Sequence, residues 1–472
     1  MIEMRGMRGT VAVRALPVLT LLALVGAATG CAPDPVRSTL DRPVDPVVVT
    51  GAQASALAGT PPGRVVGFRA SSAGWTQIPV QVDERLDTKV QAAYNLPAGQ
   101  FGSSTDIEVN LYADPTTFVG ADPDPNLDAD DEIAFMARDA GGDAGNRAAP
   151  AGTTGGGVEL QLRDPQAASA SGYVYLFRSD GSLDPGAGKH YVDYGFDLLS
   201  GDYRTTYRRA AGPNPEDSTI TGGTYTAHFS DRWLLDRLTL TVGSKPGVDL
   251  IDRAKYKFPG TCVRTEDTFD AGEGAFIVNK VGPVRALRSY VGANSGPNTQ
   301  ATHAFYDTVI DTTIDLRVHA IPGVGSHLDL SREAIGMTFR NPQVPNGLTI
   351  DGVPDTLPPG TPSWWTITGP QGGLAVSATV DTNLPGQTAR AVFDDDETPA
   401  ATQCTGDGQA IGEAGAVFGQ SIACTDPGTN CGGVLQSRTR IVATPAALAP
   451  AGVRRIAEQG LAPLTVTSTA FP

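Results

Sequence analysis

The stretch Thr312-Thr-Ile-Asp-Leu-Arg-Val-His-Ala320 places Ile314, Leu316 and Val318 at every second position. Thr313, Asp315, Arg317 and His319 fill the positions between. Period two with one apolar face is the signature of a half-buried strand, because successive side chains point to opposite sides of a sheet. Working outward, the same alternation recurs in Leu238–Val242, Val158–Leu162, Ile107–Leu111 and Ile78–Val82. Further short β-rich runs lie at Arg64–Phe68, Glu132–Ala137, Gly172–Phe177, Ala275–Asn279, Val284–Val291, Thr302–Tyr306, Gly336–Phe339, Trp364–Thr368, Leu374–Val380 and Arg438–Ala443. Only Pro450–Gly460 has a helical pattern. The chain therefore reads as all-β: an N-terminal β-sandwich followed by a larger antiparallel sandwich of the two-sheet kind.

Composition agrees. The 472 residues include 56 Gly and 36 Pro, 18% are charged, and the formal net charge is −16. Glycine and proline at that density suit turns between short strands and oppose long helices. This excludes a coiled coil, a helical bundle and a polytopic membrane protein, and the acidic balance argues against a nucleic-acid partner. The length predicts more than one domain. The boundaries read as a leader over 1–30, a Pro-, Ala- and Asp-rich tether over 31–63, a first sandwich over 64–185 and a second over 186–472. Val47-Val48-Val49 offers the tether a first strand.

The leader carries Arg5, Arg8 and Arg14 ahead of a charge-free apolar core, Ala15–Ala28. That is the layout of an export signal and is short for a membrane span. It ends Ala28-Thr-Gly-Cys31, which resembles the lipobox of bacterial lipoproteins, with Ala28 where that class usually has Leu. The resemblance implies cleavage before Cys31 and lipidation of that cysteine, anchoring the chain at the outer face of the cell membrane. Setting Cys31 aside leaves Cys262, Cys404, Cys424 and Cys431. An even number in an exported chain predicts two disulfides, with three connectivities open.

Three groups of residues are candidates for chemistry. The run Asp122-Pro-Asp124-Pro-Asn126-Leu-Asp128-Ala-Asp130-Asp131-Glu132 offers oxygen ligands at alternate positions, and calcium takes six to eight oxygens. Asp122, Asp124, Asn126, Asp128, Asp130 and Glu132 are its candidate ligands. The run is no EF-hand, since Leu127 stands where Gly is required. His303, Tyr306, Arg317 and His319 form a candidate acid–base and charge-stabilising set beside Asp315, the kind that proton abstraction next to a sugar carboxylate needs. On a solvent-facing strand the same residues would be ordinary surface. Trp364 and Trp365 are adjacent, so one is expected inward and one outward, where an exposed indole could stack on a sugar ring.

The segment Lys280-Val-Gly-Pro-Val-Arg-Ala286 resembles the strand entry of super-sandwich domains in galactose-mutarotase-like and polysaccharide-lyase proteins. It covers seven residues, implies a fold and carries no catalytic position. No nucleophile elbow, zinc-protease motif or phosphate loop occurs, so no nucleotide cofactor is expected. The function expected is an exported lipoprotein that binds an extracellular glycan, with calcium as a structural ion. The alternatives are a carbohydrate-active lyase or epimerase on the same scaffold, and a structural or adhesion protein of the envelope.

Overall fold

The computed structural model describes residues 37–95, 107–200, 215–245, 247–258, 265–269, 274–321, 323–384, 386–398, 408–418 and 433–472. The leader and all five cysteines (Cys31, Cys262, Cys404, Cys424 and Cys431) lie outside the described residues. The architecture is antiparallel β throughout, and Pro450–Gly460 is indeed an α-helix. No helix among the described residues is long and apolar enough to cross a membrane.

Two sheets form the N-terminal sandwich. A five-stranded sheet runs in the order 465–471, 153–164, 167–179, 65–71, 74–78, and a three-stranded sheet in the order 46–50, 132–136, 81–83. Alternate residues of both close a common core: Val47, Val49, Ile133 and Phe135 meet Val65, Val158, Leu160, Val174 and Leu176. The first strand thus comes from within the tether stretch. The last strand of the chain returns to pair with Thr153–Asp164. The alternation in Ile78–Val82 belongs to two strands, Gly74–Ile78 and Gln81–Asp83, in different sheets. Pro79 stands at the break, having no N–H to give to a ladder.

The larger assembly is built on a nine-stranded sheet in the order 275–281, 286–293, 296–305, 309–315, 435–444, 372–382, 364–369, 338–340, 348–349. One face is covered by a five-stranded sheet (193–195 to 248–249) and a four-stranded sheet (251–257, 324–330, 410–418, 390–396). Phe229, Leu238 and Leu240 of the first pack with Phe305, Ile310, Leu374 and Ile441. Tyr256, Val324 and Phe418 of the second pack with Tyr290, Ile314 and Leu435.

Among the described residues, the opposite face of the nine-stranded sheet is covered towards its two ends. Val453 and Ala457 of the helix sit on Val309, Trp364, Ala375 and Val442. Val90 and Tyr94 of the short helical turn Val90–Tyr94, and Leu111 of the two-stranded sheet formed by Arg85–Lys89 and Glu108–Tyr112, sit on Ile277, Leu287 and Val291. Between these two covers the strands 309–315, 435–444 and 372–382 remain open, and their outward positions are polar. The quoted stretch 312–320 is strand only as far as Asp315, with Leu316 adding one more hydrogen bond to the Leu435 carbonyl at 2.9 Å. Beyond it the chain leaves the sheet, though Val318 still reaches the core.

Candidate functional site

The open part of the nine-stranded sheet is the floor of a cleft of about 960 Å³. Its walls are the strand Glu108–Tyr112 with Arg85 and Glu132 on one side, and Gly460, Leu461 and Pro463 on the other. Strand register sets the floor. Asp311, Thr313 and Asp315 lie opposite Arg440, Arg438 and Gln436. Those three lie in turn opposite Ser377, Thr379 and Asp381. Rows of side chains two residues apart on one face are about 7 Å apart, so the floor is a ladder of polar rungs.

The outer rungs are bonded internally and the middle one is tied to its neighbour. The Arg440 guanidinium grips Asp311 with both prongs, Nε to Oδ1 at 2.7 Å and Nη2 to Oδ2 at 2.8 Å. Gln436 Nε2 donates to Asp315 Oδ1 at 2.6 Å, while its Oε1 accepts from Arg438 Nε at 2.6 Å. On the wall, Glu132 accepts from Arg85 at 2.7 Å, from Arg285 at 2.7 Å and from the Tyr112 hydroxyl at 2.8 Å. The Arg85 guanidinium also lies 4.5 Å above the Tyr112 ring. Burial alone would raise the Glu132 pKa, but the Arg285 and Arg85 charges outweigh it and hold the carboxyl below its usual range. Asp315 goes the other way: burial pushes its carboxyl up, only partly offset by Gln436 and Arg438.

Chemically, this floor can both donate to and accept from hydroxyl groups at several points along a line. The described residues that line it include no histidine and no cysteine. Arg438, Gln436, Arg440 and Arg85 were not among the residues singled out from sequence. The available signal was Arg438 and Arg440 alternating ahead of Ile441 and Ala443. What they pair with depends on long-range register, which that signal does not contain.

The four candidate acid–base residues do not line the cleft. His303 lies inside the sandwich, 5% exposed, its Nε2 2.9 Å from the Tyr290 hydroxyl and its Nδ1 2.9 Å from Thr312 Oγ1. Burial, helped by the Arg288 charge, pushes its pKa down to about 3, so it is held neutral. Tyr306 is buried on the other side of the sheet, its hydroxyl 3.4 Å from Arg285. Arg317 and His319 follow the end of the strand, both half-buried, with the Arg317 side chain against Gly296. Trp364 and Trp365 are each 7% exposed. Trp364 lies beneath the helix with the Arg454 guanidinium 5.1 Å over its ring, and Trp365 packs into the main core.

The acidic run folds largely onto itself. Asp122, Asp124 and Asp128 each accept the backbone N–H two residues on, at 2.8, 3.2 and 3.2 Å. Asn126 Nδ2 also reaches Asp124 Oδ1, and Asp130 is held by Asn110. Glu132 belongs to the cleft wall. A metal-like grouping does form nearby: carboxylate oxygens of Glu84, Asp122 and Asp131 all lie within 4.8 Å of one another. Asp131 is wholly buried, and Glu84 Oε1 is buried with no hydrogen-bond partner. Burial, then Asp131 and Asp122, push the Glu84 pKa up to about 7. Of the six candidate ligands, Asp122 is in this grouping. Glu84 comes from the linker after strand 81–83, brought in because Asp83 pairs with Glu132.

Fold and site together define an antiparallel β-sandwich protein with an open, polar, ligand-sized cleft on its largest sheet. No family model matches the chain, and no curated protein matches it. A solved structure that resembles it is a provisionally assigned aldose 1-epimerase from Escherichia coli K12. It has 12% identity and a TM-score of 0.26, over 53% of this chain and 99% of that one.

Proposed function

We propose that this chain is an exported lipoprotein, anchored through Cys31, that holds an extracellular glycan in the cleft of the nine-stranded sheet. The observation that carries this reading is the floor itself. Three in-register rungs present carboxylates, guanidiniums, an amide and the hydroxyls of Thr313 and Thr379, in a trough the size of ligand sites. A sugar is a line of vicinal hydroxyls, each both donor and acceptor, and this floor is complementary to it. Export, supported by the leader, would place the cleft among such ligands. The dispersal of His303, Tyr306, Arg317 and His319 away from the cleft favours binding over the lyase or epimerase alternative.

Calcium belongs to the same reading as a structural ion, with Glu84, Asp122 and Asp131 as ligands. A divalent cation would satisfy Glu84 Oε1 and offset the burial and the carboxylate repulsion that raise its pKa.

The test of the glycan reading is an array of extracellular polysaccharides probed with the mature chain, followed by calorimetric titration of whatever is retained. Retention of one glycan class is expected, with Gln436→Leu weakening it by about tenfold or more through loss of a two-sided hydrogen-bond bridge. An array with no retained glycan, or a Gln436→Leu protein that binds unchanged, overturns it.

A further inference from the structure

The cleft's charge balance carries the reading one step further, to the class of glycan. We infer that the ligand is an uncharged glycan, recognised through its hydroxyls, and that uronate and sulfated chains are discriminated against; this rests on the glycan reading above.

Three guanidiniums line the cleft, and each is already spoken for. Arg440 is matched by Asp311 at 2.7 and 2.8 Å, and Arg85 by Glu132 at 2.7 Å. Arg438 is joined to Asp315 through Gln436, which takes 2.6 Å bonds from one and to the other. Among the described lining residues, three cations against three carboxylates leave no net formal charge. Asp381 sits opposite Gln436, one diagonal from Arg438, and adds a further carboxylate beside that exposed guanidinium.

An incoming carboxylate or sulfate would have to displace a resident carboxylate from Arg440 or Arg85, or the Gln436 amide oxygen from Arg438. It would do so next to Asp315 and Asp381, on a molecule whose formal charge is −16. A hydroxyl displaces nothing. An ionised carboxyl has about four lone-pair positions and a guanidinium five N–H groups. The Arg440–Asp311 pair uses two of each. The remainder is what a sugar hydroxyl needs, one acceptor and one donor side by side. Each ion pair therefore acts as a fixed, neutral hydroxyl clamp.

The experiment is a calorimetric comparison of matched neutral and acidic hexasaccharides. Suitable probes are cellohexaose with its C6-oxidised form, mannohexaose with mannuronate hexamer, and carboxyl-reduced with native galacturonate hexamer. A sulfated galactan hexamer is the sulfate arm and a chitosan hexamer the cationic one. In any pair that binds, the neutral member is expected to be about tenfold or more tighter at low salt. The double variant Asp311→Asn with Asp315→Asn, folded by its melting curve, frees the Arg440 guanidinium and removes a negative charge near Arg438, and should shift preference to the acidic member. Tighter binding of an acidic or sulfated member, or of chitosan, by the unmodified protein overturns this inference and leaves the glycan reading standing. No binding to any probe defeats both.

Discussion

Glu84 concentrates the unbalanced charge of the acidic loop. Its Oε1 has no donor, Asp131 and Asp122 face it within 4.8 Å, Asp128 adds a more distant negative charge, and Lys280 is the cation that partly offsets them. A carboxyl raised from an ordinary 4.5 to about 7 holds its proton more tightly folded than unfolded. Its favourable contribution is therefore present below about 4.5 and lost as pH climbs to about 7. Metal-free protein should melt at lower temperature at pH 8 than at pH 5.5. Calcium should raise the midpoint more at pH 8, where the site is already deprotonated. Glu84→Gln should raise the metal-free midpoint at pH 8 and abolish the calcium increment. A midpoint indifferent to both calcium and chelator at pH 8 removes the ion from the account. The sequence showed an acidic loop but not its geometry. Alternation suggested Asp124 and Asn126 as ligands, whereas short polar side chains in a loop bond first to their own backbone. Nothing local announces Glu84, which arrives by strand pairing.

At the scale of elements, period two reported which way a side chain points, and did so even where hydrogen bonding had ceased. Leu316 and Val318 stay on the core side after the strand has ended at Asp315. In Ile78–Val82 the pattern ran on through Pro79 into a different sheet. The helix was legible to its ends, Pro450 and Gly460, because proline at the first turn and the apolar spacing agree. What the pattern could not say is why Gly460 is there. A Cβ at that position would sit 2.0 Å from Ser377 Oγ and 3.3 Å from Arg440 Cδ. The bare backbone lets the last turn lie on the cleft floor, where the Ser377 hydroxyl donates to the Ala457 carbonyl at 2.7 Å. Gly460→Val should cost roughly 1–3 kcal/mol by overpacking. It should also weaken glycan binding, since Ser377 and Arg440 must move. Thermal melts and titrations check it; a variant with both unchanged would mean the helix end floats free of the floor.

For the molecule as a whole, the segment Gly282-Pro-Val-Arg285 does its work between the two sandwiches. Gln81 Oε1 accepts the N–H of Val284 at 3.2 Å and of Arg285 at 3.0 Å, and a Cβ on Gly282 would lie 2.3 Å from that oxygen. The Arg285 guanidinium, 2% exposed, then bonds Asp83 at 2.8 Å and Glu132 at 2.7 Å, both from the N-terminal sandwich. With the last strand returned to the first sandwich's sheet, residues 35–472 form one compact unit. Length alone suggested separable domains. It could not show that the first and last described strands belong to one sandwich, or that buried charges cross the junction. Calorimetry should therefore record one cooperative transition for the unmodified protein. Arg285→Leu would leave Asp83, 1% exposed, with Lys280 at 3.0 Å and Gln81 as its remaining partners. Removing one side of a buried ion pair costs about 3–5 kcal/mol. Because that cost falls on the junction and not on either core, the single peak should split, the N-terminal sandwich melting first. Two peaks already present in the unmodified protein would show instead that each sandwich stands alone, and that the cleft wall supplied by Arg85 and Glu132 is held in place only loosely.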